Sequence, residues 1–520
     1  MSYPRPDFER NPLRWESLNG PWSFLFDDDD IGLSSRWHQS GLPSEVALSA
    51  AAAAGDKNSQ TRSSITQKIV EGTQERIANN VFASSSGETA VSKKREIIVP
   101  FVFQSPASGI NDRGVHEVLW YERDVADLRT GEEKAKGHRL VLRFGAVDYE
   151  ATVWVDGQLV GGHRGGHVPF ELDVTDAVDA AAGSAASHRV TIRVYDSAFD
   201  LTQPRGKQYW QAKPESIFYT PSGGIWQNVW LEVVPAARIA DSSHGTIIRS
   251  NDIHGGKVHS TIAVAGRRAA QDLAVEIEAS FAGVSVSQSD RVSLPRESNR
   301  AQIDLDVRLS SDKLKALPES VTKSAPLDND FAWRDGVALW SPEHPQLYDL
   351  TIRLLDGASG TTLDEVKTTT GLRSISWTAG DGKWRLNDKP YFQALCLDQG
   401  YWPDTFMTPP SPDACRVDVE LGKRMGFNGC RKHQKVEDPL FYYWADKLGY
   451  LVWGEMANAY QFSAEYVERF NQEWEEAMRL VINRPSVVTW TPVNESWGYT
   501  NLKEDVEQRN HIRQLYYQTK

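Results

Sequence analysis

Hydrophobic and polar residues alternate in two different ways along the chain, and the change comes after Trp377. Before it, β-rich runs alternate with Gly, Asp and polar turns: EIIVPFVF, VLWYERDV, HRLVLRFGAV, EATVWVDGQLV, HRVTIRVYD and QNVWLEVV. In ATVWVDGQLV, Val153 and Val155 fall on one side of a strand, and the DG pair is a hairpin turn signal. From Glu96 to Pro235 the pattern predicts an antiparallel β-sandwich.

A second β-rich block runs from Ala237 to about Ile375. Its strands are shorter and more polar, as in VHSTIAVAG, LAVEIEASF and QLYDLTIRLLD. The length of the block predicts an immunoglobulin-like sandwich over 237–375. The stretch SDKLKALPESVTKSAPLDND, residues 311–330, is predicted to be a loop.

The first sandwich is interrupted by a segment of different composition, from Ser44 to Arg95. It holds AAAAAGDKNSQ and ASSSGETAVSKK, no proline, and Phe82 as its one aromatic residue. Such a segment buries too little apolar area to offset its ordering entropy. We therefore predict a disordered or weakly structured insertion over 44–95, with a short helix in QKIVEGTQERIANNV.

Beyond Trp377, strand-like and helical stretches alternate. YFQALCL, FNGCRKH, YLVWGEM and SVVTWTPVNES are each followed by a helical pattern, which predicts parallel strands. Strands beginning near residues 391, 427, 450 and 487 give steps close to the roughly 31 residues per unit of a 250-residue eightfold barrel. Four such units predict the first half of a (β/α)8 TIM barrel over 376–520.

The candidate chemistry lies at the carboxyl ends of these four strands, because reactive residues of βα barrels occupy that rim. The strand ends carry charged and amide side chains that would converge there: Asp398, Arg431, His433, Glu455, Asn494 and Glu495. Trp402 and Trp497 fall in the adjoining loops, where an aromatic face can stack on a sugar ring. Trp453 lies within an apolar strand and is predicted to belong to the barrel core.

Structural roles compete with these assignments. Glu495 could be a salt-bridged carboxylate at the rim. For Glu455 two roles are equally supported: lining the site, or acting as a structural partner of Arg431 or His433. A lone His433 is more often a hydrogen-bonded structural histidine than a proton shuttle. Glu455, Glu495 and His433 could in principle bind a hard divalent cation, but no dense ligand spacing occurs, so we predict no metal and no cofactor.

Composition limits the classes of binding partner and the cellular location that the chain is expected to have. The net charge is −13, with 57 Lys and Arg against 70 Asp and Glu, which argues against nucleic acid and anionic membranes as partners. Three cysteines and a start without an apolar signal region indicate a reducing, cytoplasmic location. The chain contains no run of 18 apolar residues, so no membrane span is predicted. The 18 tryptophans are mostly expected in cores, with some left as sugar platforms.

In these motifs the sequence resembles glycoside hydrolase family 2, the family of β-galactosidases, β-glucuronidases and β-mannosidases. The matching stretches follow the family's order along nearly the whole chain: GPWSFLF, IIVPFVFQS, WYERDV, PSGGIWQNVWLE, LWSPEHPQLYDL, GFNGCRKHQ, GYLVWGEM and RPSVVTWTPVNESWG. The resemblance implies a jelly-roll sugar-binding domain over 1–236, then the immunoglobulin-like sandwich and the βα barrel. It also implies a carbohydrate as substrate.

The resemblance implies roles for individual residues. Glu495 is similar in position to the general acid/base that protonates the glycosidic oxygen, and Asn494 to the amide that binds the sugar 2-hydroxyl. Arg431, His433 and Glu455 fall where the family lines its sugar pocket. The implied activity is exo-acting, retaining hydrolysis of β-linked glycosides of the β-galactosidase kind. The chain departs from the family in reading RKHQK where RxSHYP is common, and GE where a DE pair is common.

The family's nucleophile is a second glutamate on the seventh barrel strand, so the resemblance assigns it to no residue of this chain. We therefore expect residues 1–520 to be a fragment that is close to inactive alone. Half a parallel barrel would also expose an apolar edge, which favours self-association into a homo-oligomer. The rival interpretation is a non-catalytic carbohydrate-binding or scaffold protein built on the two sandwiches.

Overall fold

The computed structural model of the chain describes residues 3–48, 91–181, 187–209 and 214–520. Antiparallel strands dominate before Trp377, and strand–helix pairs follow it, as the hydrophobic pattern predicts. The three largest hydrophobic clusters draw their buried residues from 18–233, from 237–372 and, apart from Val168, from 415–515. The prediction of a multidomain, β-rich protein is confirmed at this level, whereas the boundaries at 236 and 375 stay predictions.

The first part of the chain forms two antiparallel sheets whose inner faces share one hydrophobic cluster. Its strands are β1 (Glu9–Arg10), β2 (Trp15–Ser17), β3 (Gly20–Phe26), β4 (Glu45–Ala47), β5 (Val91–Lys93), β6 (Arg95–Val99), β7 (Val118–Val125), β8 (Arg139–Phe144), β9 (Val147–Asp148), β10 (Glu150–Val155), β11 (Gln158–Arg164), β12 (Phe170–Asp173), β13 (His188–Tyr195), β14 (Gly224–Ile225) and β15 (Val229–Val234). Short helices are α1 (Trp37–Ser40), α2 (Gly131–Ala135) and α3 (Thr175–Ala181). One sheet has the order β11-β10-β13-β7-β3-β6 and the other β12-β8-β15-β2.

The hairpin between β10 and β11 confirms the DG turn signal. Asp156 and Gly157 have φ of 49° and 81°, so both central residues are left-handed. That is the backbone of a type I′ turn, whose twist matches the twist of the strands it joins. Val153 and Val155 are both buried on the same side of β10, as the alternation predicts.

The prediction for 44–95 is wrong at both ends of the segment. β4 and β5 pair antiparallel, with Val46 opposite Ser92. Val46 is buried against a cluster that includes Trp37 and Trp120, and the Ser92 hydroxyl donates to Phe26 O at 2.9 Å. These long-range contacts stabilise strands that local composition does not favour. Residues 49–90, including the predicted short helix, lie outside the described residues.

The second part forms another pair of antiparallel sheets around its own cluster. Its elements are β16 (Arg238–Ile239), β17 (Ile247–Asp252), β18 (Lys257–Ala265), β19 (Leu273–Phe281), β20 (Val284–Gln288), β21 (Val292–Ser293), β22 (Arg300–Asp306), α4 (Ser311–Lys315), α5 (Glu319–Ser324), β23 (Trp333–Arg334), β24 (Val337–Ala338), β25 (Tyr348–Asp356), β26 (Thr362–Thr370) and β27 (Ile375–Ser376). The sheets have the orders β1-β26-β25-β19-β20, with β21 also on β19, and β16-β18-β17, with β22 on β18.

The predicted loop over 311–330 contains α4 and α5, so that prediction is wrong for part of its length. The Ser310 hydroxyl accepts a hydrogen bond from Lys313 N and caps α4. Leu317 and Ala325 follow the two helices and are buried in the second cluster. The turn-like composition of this stretch obscures the capping residue Ser310 and the two residues that become buried, Leu317 and Ala325.

The third part carries the parallel sheet. Its elements are β28 (Arg385–Leu386), β29 (Lys389–Pro390), β30 (Leu395–Asp398), α6 (Pro412–Arg424), β31 (Gly429–Lys432), α7 (Pro439–Leu448), β32 (Leu451–Glu455), α8 (Ala464–Val481), β33 (Val487–Thr491) and α9 (Val506–Thr519). The strands pair in parallel in the order β30-β31-β32-β33. The four predicted βα units are therefore present, with the first strand starting four residues later than predicted. Among the helices of the described segments, none is long and apolar enough to cross a bilayer.

The N-terminal segment joins all three parts through buried ion pairs. β1 adds to β26 of the second part, and Arg10 forms ion pairs with Asp364 and Glu232 while also donating to Ile239 O. Asp7 accepts from Arg484 of the third part at 2.7 Å. Because the charges are buried, each depends on its partner for compensation.

Replacing Arg10 with Met should lower the free energy of unfolding by about 3–5 kcal/mol, because it leaves buried carboxylates uncompensated. Urea denaturation followed by tryptophan fluorescence measures the loss. Arg14→Met is the matched control: that side chain is 45% exposed in its pair with Glu133, and the change should cost less than about 1 kcal/mol. Equal losses in the two variants would contradict the assignment.

A buried carboxylate lies between the first sandwich and α8. Glu473 is 1% exposed, and its Oε1 accepts a hydrogen bond from His167 N at 2.8 Å. Burial raises the pKa of Glu473 to about 8, with a further increase from the nearby charge of Glu476. The folded protein therefore holds a proton there that the unfolded chain releases at lower pH.

The stabilisation from this proton is complete below the ordinary glutamate pKa and is lost as the pH rises to about 8. Glu473→Gln keeps the shape of the protonated acid and removes the titration. We expect the melting temperature of this variant, relative to wild type, to increase between pH 5 and pH 8 and to level off above that. The exposed Glu475→Gln change on the same helix should give no such trend, and a pH-independent difference for Glu473→Gln would refute the pKa shift.

Candidate active site

The carboxyl ends of β30 to β33 meet at one edge of the parallel sheet. Residues in register point to the same face of a sheet, and their neighbours along the strand point to the other. Arg431 is in register with Trp453, and its guanidinium lies 5.3 Å from the Trp453 ring centroid. Glu455, two residues beyond Trp453, shares that face. Arg431 and Glu455 of the predicted site therefore lie on the same side of the sheet.

Glu455 is the centre of this arrangement. Its side chain has no exposed surface. Oε2 accepts from Arg431 at 2.6 Å, and Oε1 accepts from His433 Nδ1 at 2.7 Å and from Gln434 N at 3.1 Å. Both oxygens are thus engaged by donors, and the carboxylate fixes the orientation of Arg431 and His433.

The contact with Glu455 also sets the chemistry of His433. A carboxylate accepts from Nδ1–H, so a neutral ring presents Nε2 as an acceptor and a protonated ring presents it as a donor. His433 is 7% exposed. The imidazole can therefore meet a polar group of a ligand at the rim in either protonation state.

Asn494 is held from two sides. Its Oδ1 accepts from Arg431 Nη2 at 2.6 Å, and its backbone N–H donates to Asn458 Oδ1 at 2.9 Å. Asn458 is fully buried and also donates to Pro492 O at 3.2 Å. Asn458 was not singled out from the sequence, although it follows Glu455 by only three positions, because an amide between apolar residues carries no motif.

Glu495 extends from the turn after β33. It is exposed, and both Glu495 and Ser496 have positive φ, at 50° and 61°. This left-handed backbone is costly for residues other than Gly and is concentrated at functional sites. Trp497 Nε1 lies 3.4 Å from Glu495 Oε2, and Trp497 N donates to Asn494 O at 2.9 Å. The turn thus presents Glu495 beside Asn494 and Trp497.

Asp398 and Trp402 belong to a neighbouring network. Asp398 is in register with Lys432, on the other face of the sheet from Arg431. Its Oδ2 accepts from Lys432 Nζ at 2.6 Å and its Oδ1 from Gly400 N at 2.9 Å. Burial disfavours the charge on Asp398, but the charge and hydrogen bond of Lys432, the Gly400 N–H and the charge of Lys435 together lower the pKa of Asp398.

Lys435 lies in the same network as Lys432. Its ammonium group contacts Glu437 at 2.9 Å and lies 5.2 Å from the Trp402 ring centroid. The structure therefore gives Asp398 and Trp402 protein partners, and their predicted contacts with sugar stay predictions.

The first sandwich reaches this rim through a loop that sequence analysis did not connect with it. Arg205 N and Gly206 N both donate to Asn458 O, at 3.1 and 2.9 Å. Gly206 has φ of 59°, and a Cβ there would lie 2.2 Å from Gln434 O. Only glycine allows this close approach. The loop consequently touches the residues that position Asn494 and Glu455.

No group of three or more His, Cys, Asp or Glu side chains within the described ranges is arranged to hold a metal ion. Cys396, Cys415 and Cys430 are free thiols. Burial raises the pKa of Cys415 and Cys430 well above the ordinary thiol value, so both are uncharged at neutral pH.

Two family models match the chain. Residues 93–211 match the sugar binding domain of glycosyl hydrolases family 2, and residues 272–373 match the model named Glycosyl hydrolases family 2. A β-galactosidase of Thermoanaerobacter pseudethanolicus is 24% identical over 399 residues, covering 76% of this chain and 47% of that protein. A β-glucuronidase of Felis catus is 26% identical over 409 residues, covering 72% of this chain and 54% of that protein. The chain spans about half the length of these curated relatives.

Solved structures of similar fold include the β-glucuronidase of Ruminococcus gnavus in complex with D-glucuronic acid. It has a TM-score of 0.66 at 17% identity and covers 98% of this chain and 70% of that one. The β-glucuronidase of Parabacteroides merdae has a TM-score of 0.68 at 16% identity, with 97% and 55% covered. At this level of identity the likeness concerns the fold.

Replacing Asn458 with Ala should leave Asn494 N–H and Pro492 O without partners, at a cost of about 1–3 kcal/mol for each buried group left unpaired. We expect a lower melting temperature and weaker protection of the Asn494 amide in hydrogen exchange. Asn510→Ala, on the exposed face of α9, should change neither. Unchanged exchange at Asn494 in the Asn458 variant would show that Asn458 does not hold the turn.

Proposed function

We propose that this chain, which belongs to glycoside hydrolase family 2, serves in the hydrolysis of O-glycosyl bonds in β-linked glycosides. The observation that carries the proposal is the turn after β33. There, Glu495 is exposed beside Asn494, whose amide is fixed by Arg431 and Asn458. The family membership and the names of the relatives support the same activity.

In the proposed mechanism, Glu495 is the general acid/base. Its carboxyl group gives a proton to the glycosidic oxygen as the bond to the anomeric carbon breaks, and its carboxylate later takes a proton from the attacking water. Asn494 donates through its side-chain NH₂ to the sugar 2-hydroxyl, since Arg431 already occupies its Oδ1. His433 and Arg431, oriented by Glu455, bind other sugar hydroxyls.

We propose retention of configuration, with the nucleophile outside residues 1–520. A retaining enzyme needs a second carboxylate about 5–5.5 Å from the acid. The other two carboxylates at the strand ends, Asp398 and Glu455, have both oxygens engaged by protein donors. Using either as a nucleophile would disrupt the contacts that hold the rim, so neither fits the role.

The fold supports the finer assignment of parts. We propose that the first two sandwiches are a jelly-roll and an immunoglobulin-like domain, and that the four βα units are half of an eightfold barrel. The substrate proposal is an exo-acting activity on β-galactosides. The β-glucuronidases among the relatives make β-glucuronides the second candidate sugar class.

In a form of the protein extended by downstream coding sequence, Glu495→Gln should abolish the hydrolysis of unactivated β-glycosides, because the amide cannot donate the proton. We expect the 520-residue chain alone to be slower by many powers of ten than a form extended by downstream coding sequence, as is found when a nucleophile is removed from other covalent enzymes. In the extended form, azide should restore turnover of an activated aryl β-glycoside by Glu495→Gln. Release of nitrophenol from aryl β-galactosides and β-glucuronides measures all of these rates.

Glu504→Gln, an exposed change in the loop before α9, is the matched control and should retain full activity. Full activity of the short form would refute the proposal that the nucleophile lies outside it. Glycan binding without turnover in either form would favour the rival carbohydrate-binding scaffold.

A further inference from the structure

The loop of the first sandwich that docks on Asn458 also carries a lysine to the rim. Lys207 directly follows Gly206, and its carbonyl accepts from Tyr219 N at 2.8 Å. The hydroxyl of Tyr460, which follows β32, donates to Gly206 O. The backbone around Lys207 is therefore fixed against both the first sandwich and the barrel strands.

Lys207 lies along a wall of aromatic rings. Its Nζ is 5.6 Å from the ring centroid of Trp497 and 5.9 Å from that of Phe218. The ring of Trp497 meets those of Phe218 and Tyr460 edge to face, at 5.9 and 5.2 Å. The wall thus combines rings from the first sandwich with the residue whose indole N–H lies next to Glu495.

The ammonium group of Lys207 has N–H donors available for a ligand. Lys207 is 6% exposed, yet among the described residues no protein oxygen is found as a hydrogen-bond or ion-pair partner of its Nζ. Burial lowers the pKa of Lys207, while the charges of Glu495 and Glu455 oppose that shift. An ammonium group largely removed from water is stabilised by an added acceptor, and a ligand oxygen at the rim would supply one.

The position of Lys207 identifies which part of a glycoside it would meet. Arg431 and His433 are tied to Glu455 at the ends of β31 and β32, where the sugar is proposed to bind. Lys207 comes from the first sandwich and lies over Trp497, whose indole N–H is next to Glu495. Glu495 protonates the oxygen that joins the sugar to its leaving group, so a wall against Glu495 borders the leaving group.

We propose that Lys207 is a substrate-binding residue that donates a hydrogen bond to the leaving group of the glycoside, with Phe218 and Trp497 as the apolar wall of that subsite. The inference rests on the proposed function. It predicts a preference for hydroxyl-bearing leaving groups, such as a second sugar, because an alkyl group offers Lys207 no acceptor.

Calorimetric titration of the 520-residue chain tests this with matched ligands: methyl β-D-galactoside against lactose, and methyl β-D-glucuronide against cellobiouronic acid. Lys207→Met keeps an unbranched side chain on the rings and removes the donor. We expect the Kd of the disaccharide that wild type binds to rise about tenfold or more, the size of a charge-assisted hydrogen bond. The Kd of the corresponding methyl glycoside should stay unchanged.

Lys367→Met, an exposed change in β26, is the control and should bind every ligand like wild type. A melting temperature near that of wild type verifies that Lys207→Met folds, and Lys207→Leu, which also lacks a donor, replaces it if the value falls. Wild-type affinities in both Lys207 variants would overturn this inference alone, and equal weakening of disaccharide and methyl glycoside would place Lys207 on the sugar instead. Binding of neither ligand pair by wild type would overturn the proposed function together with the inference.

Discussion

The carboxylate of Glu455 makes the hydrogen bonds on which the arrangement of the other rim residues depends. It is buried, and it accepts from Arg431, from His433 and from the backbone of Gln434. A buried charge is tolerated only when donors surround it, so the need to satisfy Glu455 forces side chains from two strands into one arrangement. Arg431 then fixes the Asn494 amide. Glu495 needs no such restraint, because its turn is already held through Asn494 and Asn458.

In the stretch RKHQK, neighbouring residues point to opposite faces of the sheet and have different roles. Arg431 points to the face of the sheet that carries Glu455, whereas Lys432 points to the opposite face, 3.8 Å from the Phe441 ring centroid on α7. There Lys432 pairs with Asp398 and with Glu437, at 2.6 and 3.0 Å. A buried ion network therefore lies behind the rim. Such a network is weak support for stability but constrains geometry, since removing one member leaves an unpaired charge.

The candidate site is formed by residues of the first and third parts of the chain. The loop around Gly206 places backbone donors on Asn458 and brings Lys207 to Trp497. Asp7 and Arg10 tie the N-terminal segment to both other parts through buried ion pairs. The first sandwich therefore contributes to the site, because its loop contacts Asn458, the residue that holds the turn with Glu495.

Patterns within short stretches of the sequence predict most of the elements and the strand ends, although they miss β4, β5, α4 and α5. Alternation with period two predicts β10 and β11, and strand–helix alternation predicts β30 to β33. The rule that parallel strands share one carboxyl edge predicts that Arg431, Glu455 and Asn494 converge. Local pattern sufficed because each of these features depends on residues close together in the chain.

Which residues contact each other at the rim depends on tertiary packing. Asn458 and Lys207 lie at the rim through contacts between residues far apart in sequence, and Asp398 turns from it because its register partner is Lys432. The strand pair β4 and β5 forms for the same reason, since Val46 is buried against Trp37 and Trp120. Such choices follow from which surfaces are buried together when the whole chain folds, and no local pattern of residues records them.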